Sequence, residues 1–223
     1  ALMNKLYAGG PDLRLRQEWI LGVGGVRVLR ALGINPGVWH ANEGHAAFMM
    51  VERLREYLTN GVPFEDAVHD VRAHSVFTTH TPVPAGHDAF GVEALESVAG
   101  PVWEEMKIDR ETFFRLGAHP DLPGQFHMTV TAMRLSGGVN GVSRRHGQVS
   151  RNIWRDLWPG RPWETVPIGH VTNGVHLATW MASPIMALLD EHLEPDWGSR
   201  LDEPGFWDQV LTLQPMAEWG AIA

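Results

Sequence analysis

Histidine, asparagine, glutamate and threonine gather beside turns at four places in this sequence. They are His40 with Asn42, Glu43 and His45; the run Thr78, Thr79, His80 and Thr81 leading to His87; Asn140 and Ser143 with His146; and His170, Thr172 and Asn173 with His176. Each of these side chains offers a directional donor or acceptor, the equipment for gripping the hydroxyl groups of a sugar-like ligand. Asn140-Gly141 and Asn173-Gly174 can also turn the chain sharply and bring backbone groups close to a bound molecule. Singly, each cluster is equally what a structural hydrogen-bonding histidine at a strand end looks like.

Other chemistries fit less well. Twelve histidines invite a metal reading, as in a metal-dependent hydrolase. However, His40, Glu43 and His45 lack the i, i+4 spacing that places two histidines on one helix face, so no metal site is expected. The glycines from Gly22 to Gly25 suggest a dinucleotide loop. Arg27 stands where its third glycine belongs, no strand precedes it, and it lies in a helical pattern, so close helix packing is expected instead. Neither a nucleophile elbow nor a Walker-type phosphate loop is present. Net charge is −8 and the arginines are scattered, whereas a nucleic-acid surface shows a basic stripe. The absence of cysteine excludes disulfides and thiolate metal sites and fits the reducing cytoplasm, the expected location. No run approaches the roughly 18 apolar residues of a membrane span, and no signal-peptide pattern stands out.

The elements that must position these clusters follow from periodicity. With 44% hydrophobic and 20% charged residues, the 223-residue chain has the balance of a globular protein with a sizeable core, in one large domain or parts of two. Residues 13–32 have helical spacing through Leu15, Trp19, Val23, Val26 and Leu29, with Gly33 as the stop. Val38-Trp39 reads as a strand end. Residues 46–58 read as a helix with Glu52, Arg53, Arg55 and Glu56 outward, and residues 63–73 as a second helix with proline at its start. Residues 75–79 form a strand that runs into a Pro/Gly-rich loop at His80, the arrangement of a site at a strand's carboxyl end. Residues 90–116 read as mostly helical, 118–126 as a connection, and 128–135 and 139–154 as helical. Asn140 and Ser143 are expected to cap a helix start. Residues 168–172 form a short strand ending at Asn173, and two helical stretches follow Trp180. Strands alternating with helices predict an α/β layered domain.

Together the four clusters resemble the α-glucan (glycogen and maltodextrin) phosphorylases of glycosyltransferase family 35, especially the bacterial type. The resemblance rests on Arg16-Gln-Glu18 with Leu21-Gly-Val-Gly-Gly-Val26, on Asn42-Glu-Gly-His45, and on Phe77-Thr-Thr-His-Thr-Pro-Val-Pro-Ala-Gly-His-Asp88. It continues in Val139-Asn-Gly-Val-Ser143 with His146, and in Val171-Thr-Asn-Gly-Val-His176 followed by Thr179-Trp180, in order. It implies a Rossmann-like layered domain within a two-lobed GT-B fold. Residues 1–173 would be the later part of the N-terminal lobe, and residues 174–223 the crossover and start of the C-terminal lobe. It further implies transfer of a terminal glucosyl unit from an α-1,4-glucan to phosphate, giving glucose 1-phosphate with the help of pyridoxal phosphate.

By the same resemblance, His80 is the catalytic-site histidine that contacts the 6-hydroxyl and turns its backbone carbonyl toward the reacting carbon. Asn173 grips hydroxyls on the far side of the sugar, Val142 lines the pocket, and Glu43 and His45 lie beside the glucan-side subsite. Thr81 adjoins the histidine. The cofactor's lysine belongs to the second lobe, matched by neither Lys5 nor Lys107, and the family's Gly-rich loop would precede Ala1. The stretch from Val210 to Ala223 matches only loosely. The expectation is an internal segment, inactive by itself, beginning at Ala1 rather than at a start methionine. A non-catalytic glucan-binding module that kept the sugar contacts is the alternative.

Overall fold

The structure, a computed structural model, describes residues 10–83 and 86–212. Lys5 and residues 213–223 lie outside the described residues. Pro11, whose fixed φ suits a first helical turn, opens helix α1, Pro11–Trp19. One π-helical turn, Ile20–Gly24, joins it to α2, Gly25–Ala31, and Gly33 ends the run at φ 72°. Close packing holds at one of the glycines: a Cβ on Gly22 would lie 2.6 Å from Phe48 Cβ and from Met49 N, whereas Gly25 faces open space.

Strand β1, Trp39–Asn42, starts where the apolar run suggested but continues through polar residues, with burial alternating along it. A 3-10 turn, Gly44–Ala46, leads into α3, Phe48–Thr59, and α4, Phe64–Ala73, follows. The outward face expected for α3 is half wrong. Glu52 and Arg53 are 2% and 3% exposed. Glu52 accepts from Arg27 and Arg55, while Arg53 donates to Ser75 Oγ at 2.7 Å and lies over the Trp39 ring. Burial is sustainable here because each charge has partners.

Strand β2, Ser75–Thr79, matches its sequence reading. Next come β3, Ala89–Gly91; helices α5, Val92–Ala99, α6, Val102–Glu105, and α7, Arg110–Arg115; and β4, Gln125–His127. The antiparallel β3–β4 pair was not apparent in the sequence; each strand has three residues, too few to show an alternation. Helix α8, Met128–Arg134, precedes β5, Gly138–Gly141, in a stretch that read as helical. Helix α9, Arg144–Ile153, and the two-residue β6, Gly169–His170, complete this part.

The main sheet has the order β1-β2-β5-β6 and is parallel throughout, so the fold is α/β. Phe77 in its centre is fully buried with Phe48, Leu54, Met128 and Leu135. Parallel strands bring their carboxyl ends to one edge. Asn42 stands opposite Thr78, Thr79 opposite Gly141, and Gly141 opposite His170. All four polar clusters therefore leave the sheet at that edge, the third continuing to His146 in the first turn of α9.

The chain divides into two compact units after Asn173. The second contains α10, Leu177–Trp180, α11, Ser183–His192, and a 3-10 stretch, Phe206–Thr212. Leu189, Leu193, Trp197 and Phe206 form its small core, and Trp197 Nε1 donates to Asp190 at 2.8 Å. Among the described residues no helix is long and apolar enough to cross a membrane.

Candidate functional site

His80 is the first residue beyond β2 and is exposed. Its imidazole Nε2 lies 2.7 Å from Asn42 Oδ1. An amide oxygen only accepts, so Nε2 carries the proton, and Nδ1 of the neutral ring is the acceptor it can offer a ligand. The backbone beside it is held by Glu43. One carboxylate oxygen, Oε1, accepts from the His80 N–H, from the Thr81 N–H at 2.7 Å and from Thr79 Oγ1 at 3.3 Å. Burial alone would raise the Glu43 carboxyl; the bonds from His80 and Thr81, with His87 nearby, more than offset this and hold it below the usual carboxylate range.

On the same edge, Arg14, Glu43, His45, Thr81, His87 and Asp88 line much of a cleft of about 580 Å³. Arg14 reaches Glu18 at 2.8 Å and Asp88 at 3.1 Å. Burial, reinforced by the Asp88 charge, pushes Glu18 up to about 9 against the opposing pull of Arg14. His45 is lowered by burial and by Arg14. His87 is lowered mainly by burial; its Nδ1 meets Thr129 Oγ1 at 2.9 Å and its ring stands edge-on to Trp154. A Cβ on Gly44 would lie 2.7 Å from Thr129 Oγ1, so that glycine permits the floor of the cleft to close.

Val142 and Asn173 follow β5 and β6. The Asn173 N–H donates to the Val142 carbonyl at 3.1 Å, and the Val171 N–H to that of Gly141 at 3.0 Å. The Val142 N–H donates to His146 Nδ1 at 3.2 Å. Ser143 caps α9 as expected, accepting from the His146 N–H at 3.1 Å. Asn140 does not cap. It lies inside β5, where its Oδ1 accepts from Thr78 Oγ1 at 3.0 Å, and Thr78 in turn meets His40 Nε2 at 2.8 Å.

The fold thus gathers Glu43, His45 and Thr81 in one cleft and sets His80 against Glu43. Val142 and Asn173 share the sheet edge but do not line that cleft. Sequence reasoning counted Asn42 only as one hydrogen-bonding member of its cluster and gave no role to Arg14 or Asp88. Asn42 was visible beside Glu43, yet only the parallel register brings it to His80. Among the described residues no group of three His, Cys, Asp or Glu is placed to hold a metal ion.

No protein-family model matches the chain. It is 40% identical over 99% of its length to a maltodextrin phosphorylase of Thermococcus litoralis, spanning 26% of that protein. It is 39% identical over 97% of its length to a glycogen phosphorylase of Mycobacterium tuberculosis, again spanning 26%. A glycogen phosphorylase of Aquifex aeolicus is 33% identical over 98% of the chain, which spans 31% of it. Identity at this level along nearly the whole chain, in a region that builds an α/β sheet edge with a polar cleft, makes the chain similar to maltodextrin and glycogen phosphorylases over a segment equal to 26% to 31% of their length.

Proposed function

We propose that this segment forms the sugar-gripping side of the active site of an α-1,4-glucan phosphorylase, which transfers a terminal glucosyl unit to phosphate and releases glucose 1-phosphate. The observation that carries the reading is His80, at a strand's carboxyl end with its imidazole oriented by Asn42 and its backbone by Glu43. Its Nδ1 accepts from the 6-hydroxyl of the glucosyl unit. Its carbonyl faces the anomeric carbon, where a fixed dipole stabilises the positive charge that develops as the glycosidic bond breaks. Asn173 binds hydroxyls across the ring, Val142 packs on its apolar face, Thr81 adjoins His80, and Glu43 and His45 stand on the cleft wall toward the glucan chain.

In this reading the sheet is part of a Rossmann-like N-terminal lobe of a two-lobed GT-B enzyme, with the crossover beginning after Asn173, and the enzyme is cytoplasmic. Pyridoxal phosphate would supply a phosphate group that donates and accepts the reaction's proton. The described residues do not fit it as a host. Their one lysine, Lys107, is exposed at a turn position with φ 55° and lies off the cleft wall. In this reading the 223 residues alone do not catalyse.

The test is phosphorolysis of maltodextrin with pyridoxal phosphate and inorganic phosphate. The full-length polypeptide that carries this segment should release glucose 1-phosphate, and the 223-residue chain should not. A full-length polypeptide without release sinks the reading.

A further inference from the structure

We infer that Asn42 and Glu43 are a two-point clamp on His80, one setting its imidazole and the other the direction and polarity of its carbonyl. Both are positioning residues for the reaction proposed above, on which this inference rests.

The backbone at Glu43 is the first sign. Its φ of 70° and ψ of 166° lie in a region that is essentially restricted to glycine, and a side chain held there costs on the order of 1–3 kcal/mol. Consecutive side chains of a strand point to opposite faces of the sheet, so a regular continuation of β1 would put Asn42 and Glu43 on opposite faces of the exit of β2. The unusual φ breaks the alternation, and both side chains reach the same residue. The other carboxylate oxygen, Oε2, accepts from the Gly44 N–H at 3.3 Å and so caps the following 3-10 turn, a single long hydrogen bond that does not by itself offset the strain. The strain is matched instead by the contacts of Oε1 with the loop after β2.

The second sign is peptide geometry. The described chain has no cis peptide, and in a trans peptide the C=O and N–H point in opposite directions. The Thr81 N–H points at Glu43. The carbonyl of the same peptide, that of His80, is therefore directed away from Glu43. A carboxylate accepting the N–H also polarises the amide and increases the negative character of its oxygen. Glu43 thus aims and strengthens the dipole proposed to face the reacting carbon. Asn42 does the corresponding work on the ring by holding the proton on Nε2 and leaving Nδ1 as the acceptor for the 6-hydroxyl.

The experiment uses the full-length polypeptide and the substitutions Asn42→Ala, Asn42→Asp and Glu43→Gln. It measures glucan synthesis from glucose 1-phosphate and from its 6-deoxy analogue, with unfolding midpoints alongside. Asn42→Ala should lower kcat/KM about tenfold, the scale of one lost oriented hydrogen bond. It should also shrink the discrimination against the 6-deoxy substrate, because the contact is already loosened. Asn42→Asp keeps the acceptor and should stay within about threefold of the unmodified enzyme while keeping that discrimination. Glu43→Gln should lower kcat about ten- to hundredfold with little change in KM, since the aimed dipole acts on transition-state charge.

Unchanged kinetics in Asn42→Ala and Glu43→Gln would overturn the clamp. So would 6-deoxy discrimination in Asn42→Ala equal to that of the unmodified enzyme, or activity losses that merely track lower unfolding midpoints. An unmodified full-length polypeptide without phosphorylase activity would overturn the functional reading and the clamp's catalytic role with it. An active enzyme with indifferent variants overturns the clamp alone.

Discussion

The strand exits at His80 and at Asn173 lie on the same sheet edge but are fastened differently. The chain after β2 is held by side chains: the Glu43 carboxylate accepts its N–H groups and Asn42 holds the ring. The chain after β6 is held by backbone, with Asn173 N–H to Val142 carbonyl and Val171 N–H to Gly141 carbonyl. A side-chain anchor has a charge that titrates and can be removed by one substitution. A backbone anchor survives most changes of side chain and is broken mainly by adding atoms where two backbones meet. The first exit should therefore be the chemically adjustable one, and the second a fixed wall.

The largest effect expected is acid sensitivity behind the first exit. His127, buried against the rings of His87 and Trp154, is pushed down to about 4, first by burial and then by His87 and His119. The neutral ring is the form the fold prefers. Its contribution is therefore complete above the ordinary value near 6.5 and is lost as pH falls from there toward 4, by about 3 kcal/mol in all. Denaturant unfolding of the chain from pH 7 to pH 4 should show this decline, and His127→Gln should flatten it. Glu43 behaves differently. Its carboxyl is lowered, so its contribution is present above about 4.3 and is lost only as pH falls through the lower folded value. An undiminished slope in His127→Gln would remove His127 as its source.

Next in size is the test of the backbone-held wall. A Cβ on Gly147 would sit 2.8 Å from the Gly169 carbonyl oxygen, where α9 meets β6. Gly147→Ala should cost about 1–3 kcal/mol in denaturant unfolding, since neither backbone can yield cheaply. A cost near zero would mean that this side is as adjustable as the other. Ser143→Ala removes the cap of α9 and should cost about 1 kcal/mol by the same measurement. Smallest is Thr78→Val, which cuts the chain from His40 through Thr78 to Asn140 across the sheet. His40 is exposed and Asn140 partly so; water can replace the lost partner, and about 0.5 kcal/mol is expected. A loss several times larger would make this chain a real link across β1, β2 and β5.

Where an element was long and periodic, the sequence foretold it. Helices α3, α4 and α8 and strand β2 stand close to where their apolar spacing put them. Short polar strands escaped. His40 to Asn42 and Gly138 to Gly141 have little apolar pattern of their own and are strands because β2 pairs with both. Glu52 and Arg53 looked solvated because charge usually is; Arg27, Arg55 and Ser75, distant or unremarkable in the sequence, make their burial sustainable.

The sequence by itself determined the chemistry available: ordered clusters of hydrogen-bonding residues at strand exits, with His80 and Asn173 among them, and a resemblance carried by that order. Tertiary structure decided which of these residues act on one another. The parallel register sets Asn42 and Glu43 beside the exit of β2, and one unusual φ turns both onto His80. Neither fact has a local signature, because a register is a relation between segments some 36 residues apart, and a strained dihedral persists only when the surrounding contacts hold it.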